Sequence, residues 1–409
     1  MFLQAAYILP GQGEAIPRGA LRIAGDRIVE IGRGLAPQTG EVVHDLGRSI
    51  LLPGLVNPHC HLDLSMTAAP LPSPPTFTEW VDAVTAFRRQ MTAEALAQGV
   101  AQATAELLAG GTTTLGDYVG DLRMLAQLQT TPFTGRAFCE LIANGPGAAA
   151  ARQAALRAEI ACVRPYTPGW EWGVTPHAAH TLDRETLQTL LLQHEGDPQG
   201  PLAIHCAESR EEVELFTTHR GPLATRMVEY GYEYGPPVDS PVDYLRRHGG
   251  LPRRSLLIHA NYLTAADMIA MKAADITVVH SPQSHAYFDH APFPFERLCA
   301  AGIPVALGTD GHPCTARLNM LTELRLLRQK YPHAAPRDLL ATATTVAAAA
   351  LWLNDRGTLT VGMRGDCIAI PAPRQMPKDP YEAIFSAETA TMVVIGGRLV
   401  RGKNYHGLQ

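Results

Sequence analysis

What this chain of 409 residues does without narrows its chemistry first. Cysteine is scarce and scattered: Cys60, Cys139, Cys162, Cys206, Cys299, Cys314 and Cys367 make an odd number, and none stand in a Cys-x-x-Cys pair. That excludes a disulfide scaffold and points to reduced thiols in the cytoplasm. An excess of positive charge is also missing. The net charge is -5, so neither nucleic acid nor a membrane surface is expected as a partner. No basic leader precedes the apolar start, Arg18 being the first cationic side chain, so a signal peptide is not expected. The most apolar helical stretch, 341–353, is too short to span a bilayer and is interrupted by threonine. No G-x-G-x-x-G turn follows an early strand, which argues against an open dinucleotide-binding sheet. What remains is an ordinary globular composition, 46% hydrophobic and 18% charged, with apolar content enough for a large core.

The periodicity changes along the chain. Up to about position 46, apolar and polar residues alternate between glycine turns, with Gly25-Asp26 a hairpin signal. From about 357 the same pattern returns in Cys367-Ile368-Ala369-Ile370 and Thr391–400. Neither end can bury a sheet face alone, so the two are expected to meet in one small β-domain. Between them, short apolar strands alternate with helical stretches. Strand candidates are 51–58, 112–118, 135–142, 171–176, 201–205, 255–259, 276–280 and 303–308; helices are expected at 77–110, 184–194, 265–274 and 318–329, among others. Eight strand–helix units predict an α/β fold, a (β/α)8 TIM barrel, with a small composite β-sandwich from both termini. The expected domains are 1–50 and 356–409 for the sandwich and 51–355 for the barrel. The proline-rich stretch 70–75 is a stiff loop suited to the rim.

In such barrels the working groups stand at the C-terminal ends of strands. The first strand closes on His59-Cys60-His61, and alternation turns the two histidines to one side and Cys60 to the other. The fourth closes on Pro176-His177, the fifth on His205-Cys206-Ala207-Glu208, the sixth on His259. The seventh closes on His280 and the eighth on Gly308-Thr309-Asp310. Any one of these could be a core histidine; so many at one barrel face mark a site. His59, His61 and His205 with Asp310 form a nitrogen-rich set for one divalent metal, zinc first, with iron or manganese as alternatives. Such a metal brings the pKa of bound water toward ~7. Asp310 is placed to take the water proton, Glu208 to protonate a substrate nitrogen, and His259 to hydrogen-bond the developing charge. No lysine closes the fourth strand, so a carbamylated lysine bridging two metals has no candidate.

Taken together, Leu52-Pro53-Gly54-Leu55-Val56-Asn57-Pro58-His59-Cys60-His61, Gly111-Thr112-Thr113-Thr114, Pro176-His177, His205-Cys206-Ala207-Glu208, His259 and Leu307-Gly308-Thr309-Asp310 resemble the amidohydrolase superfamily. The likeness is to its mononuclear branch, with the cytosine, guanine and S-adenosylhomocysteine deaminases and the triazine chlorohydrolases. It spans essentially the whole chain and implies the barrel, the composite β-domain and the metal and catalytic roles just given. Narrower details resemble the aminodeoxyfutalosine deaminases of the alternative menaquinone route. These are Phe77-Thr78-Glu79-Trp80-Val81 ahead of Arg88-Arg89, Glu140 after the third strand, Ser240-Pro241-Val242-Asp243-Tyr244-Leu245, and Ser281-Pro282-Gln283-Ser284-His285. The chain departs from the wider pattern at Gly311, at Ala179-His180 and at His285, positions that bear on the substrate more than on the chemistry. The resemblance and common symmetry also imply a homodimer.

For substrate contact we single out His177, Glu140, His285 and Trp80, the last as a stacking surface for a planar ring. His280 reads as core, His312 as a rim or solvated residue, Asp117 as a loop anchor, and Cys60 and Cys206 as packing residues. Arg317 stands where a Pro-Cys-x-x-Cys motif after Pro313-Cys314 needs its second cysteine, which excludes the nucleic-acid-editing zinc deaminases. The expected reaction is hydrolytic deamination of an amino-substituted heterocycle, an adenine-like base first, with a small molecule as the partner. Hydrolysis of a cyclic amide or of a ring C–Cl bond is the rival within enzymes, and Glu208 favours an amine leaving group. A non-catalytic scaffold is the rival outside enzymes, and the intact ligand set speaks against it.

Overall fold

The computed structural model describes residues 1–65, 70–143, 147–195 and 200–402. At the start lie strands β1 (Phe2–Ile8), β2 (Ile16–Ala24), β3 (Arg27–Arg33), β4 (Val43–Asp45) and β5 (Ser49–Pro53). The β2–β3 hairpin turns at Gly25-Asp26, with Ala24 paired to Arg27 and Gly25 at a φ of 58° that glycine adopts without strain.

After a single residue, Gly54, the chain enters β6 (Leu55–Cys60). Then follow β7 (Thr112–Val119), β8 (Thr134–Leu141), β9 (Trp170–Pro176), β10 (Ala203–Cys206), β11 (Leu256–His259), β12 (Thr277–His280) and β13 (Val305–Leu307). β6 to β9 form one four-stranded parallel sheet and β10 to β13 another. Two parallel bridges join their edges, Cys60 to Asp310 and Ala178 to His205. One apolar cluster draws Val56, Tyr118, Phe138, Ala203, Ile258, Val279 and Ala306 from both sheets. All eight expected strands are present. The first differs in its start: the apolar run splits at Gly54, so Leu51 and Leu52 belong to β5 and the other sheet. A Cβ on Gly54 would come within 2.2 Å of Thr113 Oγ1, so only glycine lets the chain pass here.

The chain closes with β14 (Cys367–Pro371), β15 (Met392–Ile395) and β16 (Arg398–Arg401). These join β1–β5 in one eight-stranded sheet, β14 lying antiparallel to β5 with Ile370 opposite Ile50. Both chain ends thus meet in one sheet, as their alternation predicts. One of its faces packs Leu3, Ile8, Leu21, Leu51, Cys367 and Val394 together. The other, with Ile50, Leu52, Ile368 and Val393, merges into the main core.

Two expected helices are interrupted. The stretch 77–110 forms α1 (Phe77–Gln90) and α2 (Ala93–Ala109), because Thr92 takes the N-cap and accepts the Ala95 N–H. The stretch 341–353 divides between the helices Pro336–Thr342 and Thr345–Ala350, with the Thr344 hydroxyl turned back onto the Leu340 carbonyl. No helix among the described residues is long and apolar enough to cross a membrane.

Candidate active site

The polar strand ends converge. His59 Nε2 lies 3.2 Å from both His61 Nε2 and His205 Nε2. A single proton cannot serve both contacts, whereas a cation facing three lone pairs can. Asp310 brings Oδ1 to 3.9 Å from His61 Nε2 and Oδ2 to 3.9 Å from His259 Nε2, and His259 Nε2 lies 3.6 Å from Glu208 Oε1. His59, His61 and His205, and again His59, His259 and Asp310, have ligand atoms within 4.8 Å of one another.

Backbone geometry puts these groups there. Asn57 on β6 donates to Thr309 Oγ1 and accepts the Thr309 N–H, and Asp310 N donates to the His59 carbonyl at 3.0 Å. Gly308 allows this approach, since a Cβ there would lie 2.6 Å from His59 Cβ. Ala207, His259 and Asp310 all have positive φ, at 52°, 69° and 62°. Non-glycine residues in that region are sparse and cluster at sites the surrounding structure over-determines.

Burial sets the electrostatics. It holds His59, His61, His177 and His259 well below the ordinary imidazole range, with neighbouring imidazoles adding to the effect, and takes His205 and His180 down to about 4. Neutral imidazoles are the form that ligates metal. Burial lifts Glu208 well above the carboxylate range, reinforced by Asp310, and lifts Glu140 to about 8. Asp310 is raised by burial, opposed by hydrogen bonds from Ser284 and Cys314.

The site opens into a cleft with about 1250 Å³ of empty space that reaches solvent. Its lining includes His61, His205, Glu208, His259 and Asp310, and also Glu140, His177 and Trp80. The His177 ring stacks on His205 at 4.7 Å, and its carbonyl accepts from His205 Nδ1 at 3.1 Å. Trp80 stacks on Phe77 and meets the edge of Phe288. His180 also faces the cleft.

His285 is a correction. It lines a separate recess with His280, His290 and Phe293, and its Nε2 donates to the Ala291 carbonyl at 2.9 Å. The short helix Pro282–Tyr287 turns it outward while Ser284 faces Asp310. His312 is neither rim nor solvated: it is 1% exposed and its Nε2 contacts Glu106 Oε2 at 3.0 Å. His280 is buried and stacks on Phe293 beside that recess. Asp117 anchors the turn after β6 by accepting the Leu62 N–H, and Cys60 and Cys206 sit in the apolar core. The sequence reading missed Cys314, whose thiol lines the cleft and donates to Asp310 Oδ2 at 3.3 Å. It also did not single out Asp63, a fully buried carboxylate two residues after His61 whose Oδ2 accepts from Arg88 Nη2 at 2.7 Å.

Residues 50–400 match the amidohydrolase family model. The chain belongs to the amidohydrolase family. This amidohydrolase is 31% identical over 355 residues to an aminodeoxyfutalosine deaminase of Deinococcus radiodurans, covering 83% of either chain. Its fold is similar to that of the Helicobacter pylori aminofutalosine deaminase in complex with methylthio-coformycin, with a TM-score of 0.83 and 20% identity over 98% of this chain and 99% of the other. It is also similar to that of an adenosine deaminase from Xanthomonas campestris with bound zinc, with a TM-score of 0.82 and 21% identity over 98% and 93% of the two chains.

Proposed function

We propose that this amidohydrolase is a metal-dependent deaminase of an adenine-containing, nucleoside-like compound such as aminodeoxyfutalosine. The observation that carries the reading is the convergence of three imidazole Nε2 atoms and Asp310 on one point, with Glu208 beside His259. The names of the Deinococcus relative and of the coformycin-bound Helicobacter structure support the substrate class. The zinc in the Xanthomonas structure supports zinc as the single ion.

His59, His61, His205 and Asp310 would hold the ion, whose chemistry is to lower the pKa of a bound water toward ~7. Asp310 spans His61 and His259, so it can accept a proton arising between them. Glu208, whose carboxyl burial pushes well above the usual carboxylate range, donates to a ring nitrogen and so makes the carbon beside it electrophilic. His259 lies between Glu208 and Asp310 and hydrogen-bonds the charge that develops there. The oxygen of a water bonds to that carbon as its proton passes to Asp310, which delivers the proton to the exocyclic amine; the C–N bond then breaks, ammonia leaves, the hydroxyl proton returns to Glu208 and the ring carbon keeps the oxygen as a carbonyl. His177 and Glu140 face the bound ring, and Trp80 supplies a flat surface on the cleft wall.

On the same reading the two bridged parallel sheets are one closed (β/α)8 barrel at 51–355, and the eight-stranded sheet is the composite β-sandwich of 1–50 and 356–409. Residues 403–409 lie outside the described part. The partner is a small heterocyclic substrate, the assembly a homodimer, and the compartment the cytoplasm.

The test is ammonia release from aminodeoxyfutalosine by zinc-loaded protein, beside a chelator-stripped sample. Release that needs zinc is the expected result. No release from fully metallated protein would reject this substrate.

A further inference from the structure

The wall helix α1 is linked to the turn after β6 through Arg88. Arg88 lines the cleft, and its Nη2 donates to Asp63 Oδ2 at 2.7 Å. The same oxygen accepts the Gly120 and Asp121 N–H groups, both at 3.0 Å. Three donors on one oxygen fix the plane of the carboxylate and leave the other oxygen spare. Asp63 Oδ1 is buried and has no hydrogen-bond partner among the described residues, and the same is true of His61 Nδ1. These two orphans face each other at 4.0 Å.

A histidine that ligates a metal through one nitrogen almost always donates the N–H of the other to a carboxylate, a carbonyl or water. His205 meets that requirement through the His177 carbonyl, and His59 Nδ1 faces Ser281 Oγ at 3.5 Å. The His61 ring has two acceptors near it, the Tyr118 carbonyl and Asp63 Oδ1 at 4.0 Å, and of these the carboxylate is the stronger partner for a ring N–H and the one with an oxygen to spare.

We infer that Asp63 is the positioning carboxylate of His61, and that Arg88 of the wall helix holds Asp63 in that role. Asp63 Oδ1 accepts the Nδ1–H of His61, which fixes the tautomer whose Nε2 lone pair points at His59, His205 and Asp310. Closing 4.0 Å to hydrogen-bond length takes a movement of about 1 Å, which rotation of the imidazole supplies. Because Arg88 also lines the cleft, the substrate wall and the metal ligand share one ionic link. The inference rests on the metal site proposed above.

The test reads metal affinity rather than turnover. Zinc affinity is measured by competition with a chromogenic chelator, and the visible spectrum of the cobalt-loaded protein reports ligand geometry. Asp63→Asn keeps the size, but an amide whose oxygen takes the three donors turns its N–H toward His61, so donor meets donor. The expected result is a zinc Kd raised by about 10- to 100-fold and an altered cobalt spectrum. Arg88→Gln leaves Asp63 in place without its ionic clamp and should give a smaller shift in the same direction. This second variant carries the test if Asp63→Asn does not fold. Thermal unfolding of the metal-free proteins reports any purely structural effect separately. Wild-type zinc affinity and an unchanged cobalt spectrum in the folded variants would overturn the inference. His61→Ala is the separate check on the site: zinc affinity unchanged there would overturn the metal assignment itself.

Discussion

In the sheet built from both chain ends, buried positions are filled by side chains such as Leu3, Ile8, Leu51 and Val394, which need only one another. In the parallel strands the inner positions are similar until the last residue or two, where His59, Glu140, His205 and His259 are just as deeply buried. Burying a leucine stabilises by about 1.5–3 kcal/mol. Burying an imidazole or carboxylate costs free energy unless something pairs with it. The first sheet is therefore a stability device, whereas the strand ends carry a cost that the proposed ion and substrate would offset. The two regions meet at Gly54, so the same chain segment serves both within a few residues.

That contrast predicts which substitutions harm which property. The largest effect is expected for His205→Ala: ammonia release should fall to background while thermal unfolding stays cooperative. Undiminished activity would sink the ligand assignment. Glu208→Gln should lower kcat by about 10²- to 10⁴-fold with zinc content unchanged, as measured by elemental analysis. Ile368→Ala should do the reverse. Its side chain is fully buried on β14, so denaturant unfolding should show a loss of about 2–5 kcal/mol, with zinc bound per folded chain unaltered.

The smallest effect sharpens the contrast at a buried carboxylate outside the ligand set. Burial lifts Glu323 from an ordinary 4.5 to about 8, although Gln283 donates to it through both its backbone and side-chain N–H. The folded state then binds more protons than the unfolded one between those values, so stability falls as pH rises from about 4.5 to about 8 and is level above. Glu323→Gln should flatten that slope in melting temperatures measured across the interval. An unchanged slope would assign it to other groups.

Most of the site was legible because barrel-type chemistry is concentrated at strand ends, and each strand was short, apolar and bounded by turns. His59, His61, His205, His259 and Asp310 could be picked out by position before any geometry was known. What was not legible depended on direction rather than position. His285 lies one residue from Ser284, which faces Asp310, yet the helix turn carries its ring to the Ala291 carbonyl. His312 is paired with a glutamate on α2 that no local pattern links to it. The run 51–58 reads as one strand because hydrophobicity does not say which sheet a residue joins; only Gly54 marks the change. The break between α1 and α2 did have a signal, since Thr92 is a good N-cap, but the helical period on either side overrode it.

The pairing of β5 with β14 also has a consequence for biosynthesis. Ile50 emerges from the ribosome early, while its neighbour Ile370 emerges after the whole of the parallel-stranded region. Throughout translation the nascent chain therefore carries an apolar strand with one open edge, a template for unwanted association. Contacts of such long sequence separation form slowly. β14 is thus the seal on a nascent chain whose metal-binding strands have already been made, and a message truncated just before it would yield aggregation-prone protein rather than a smaller enzyme.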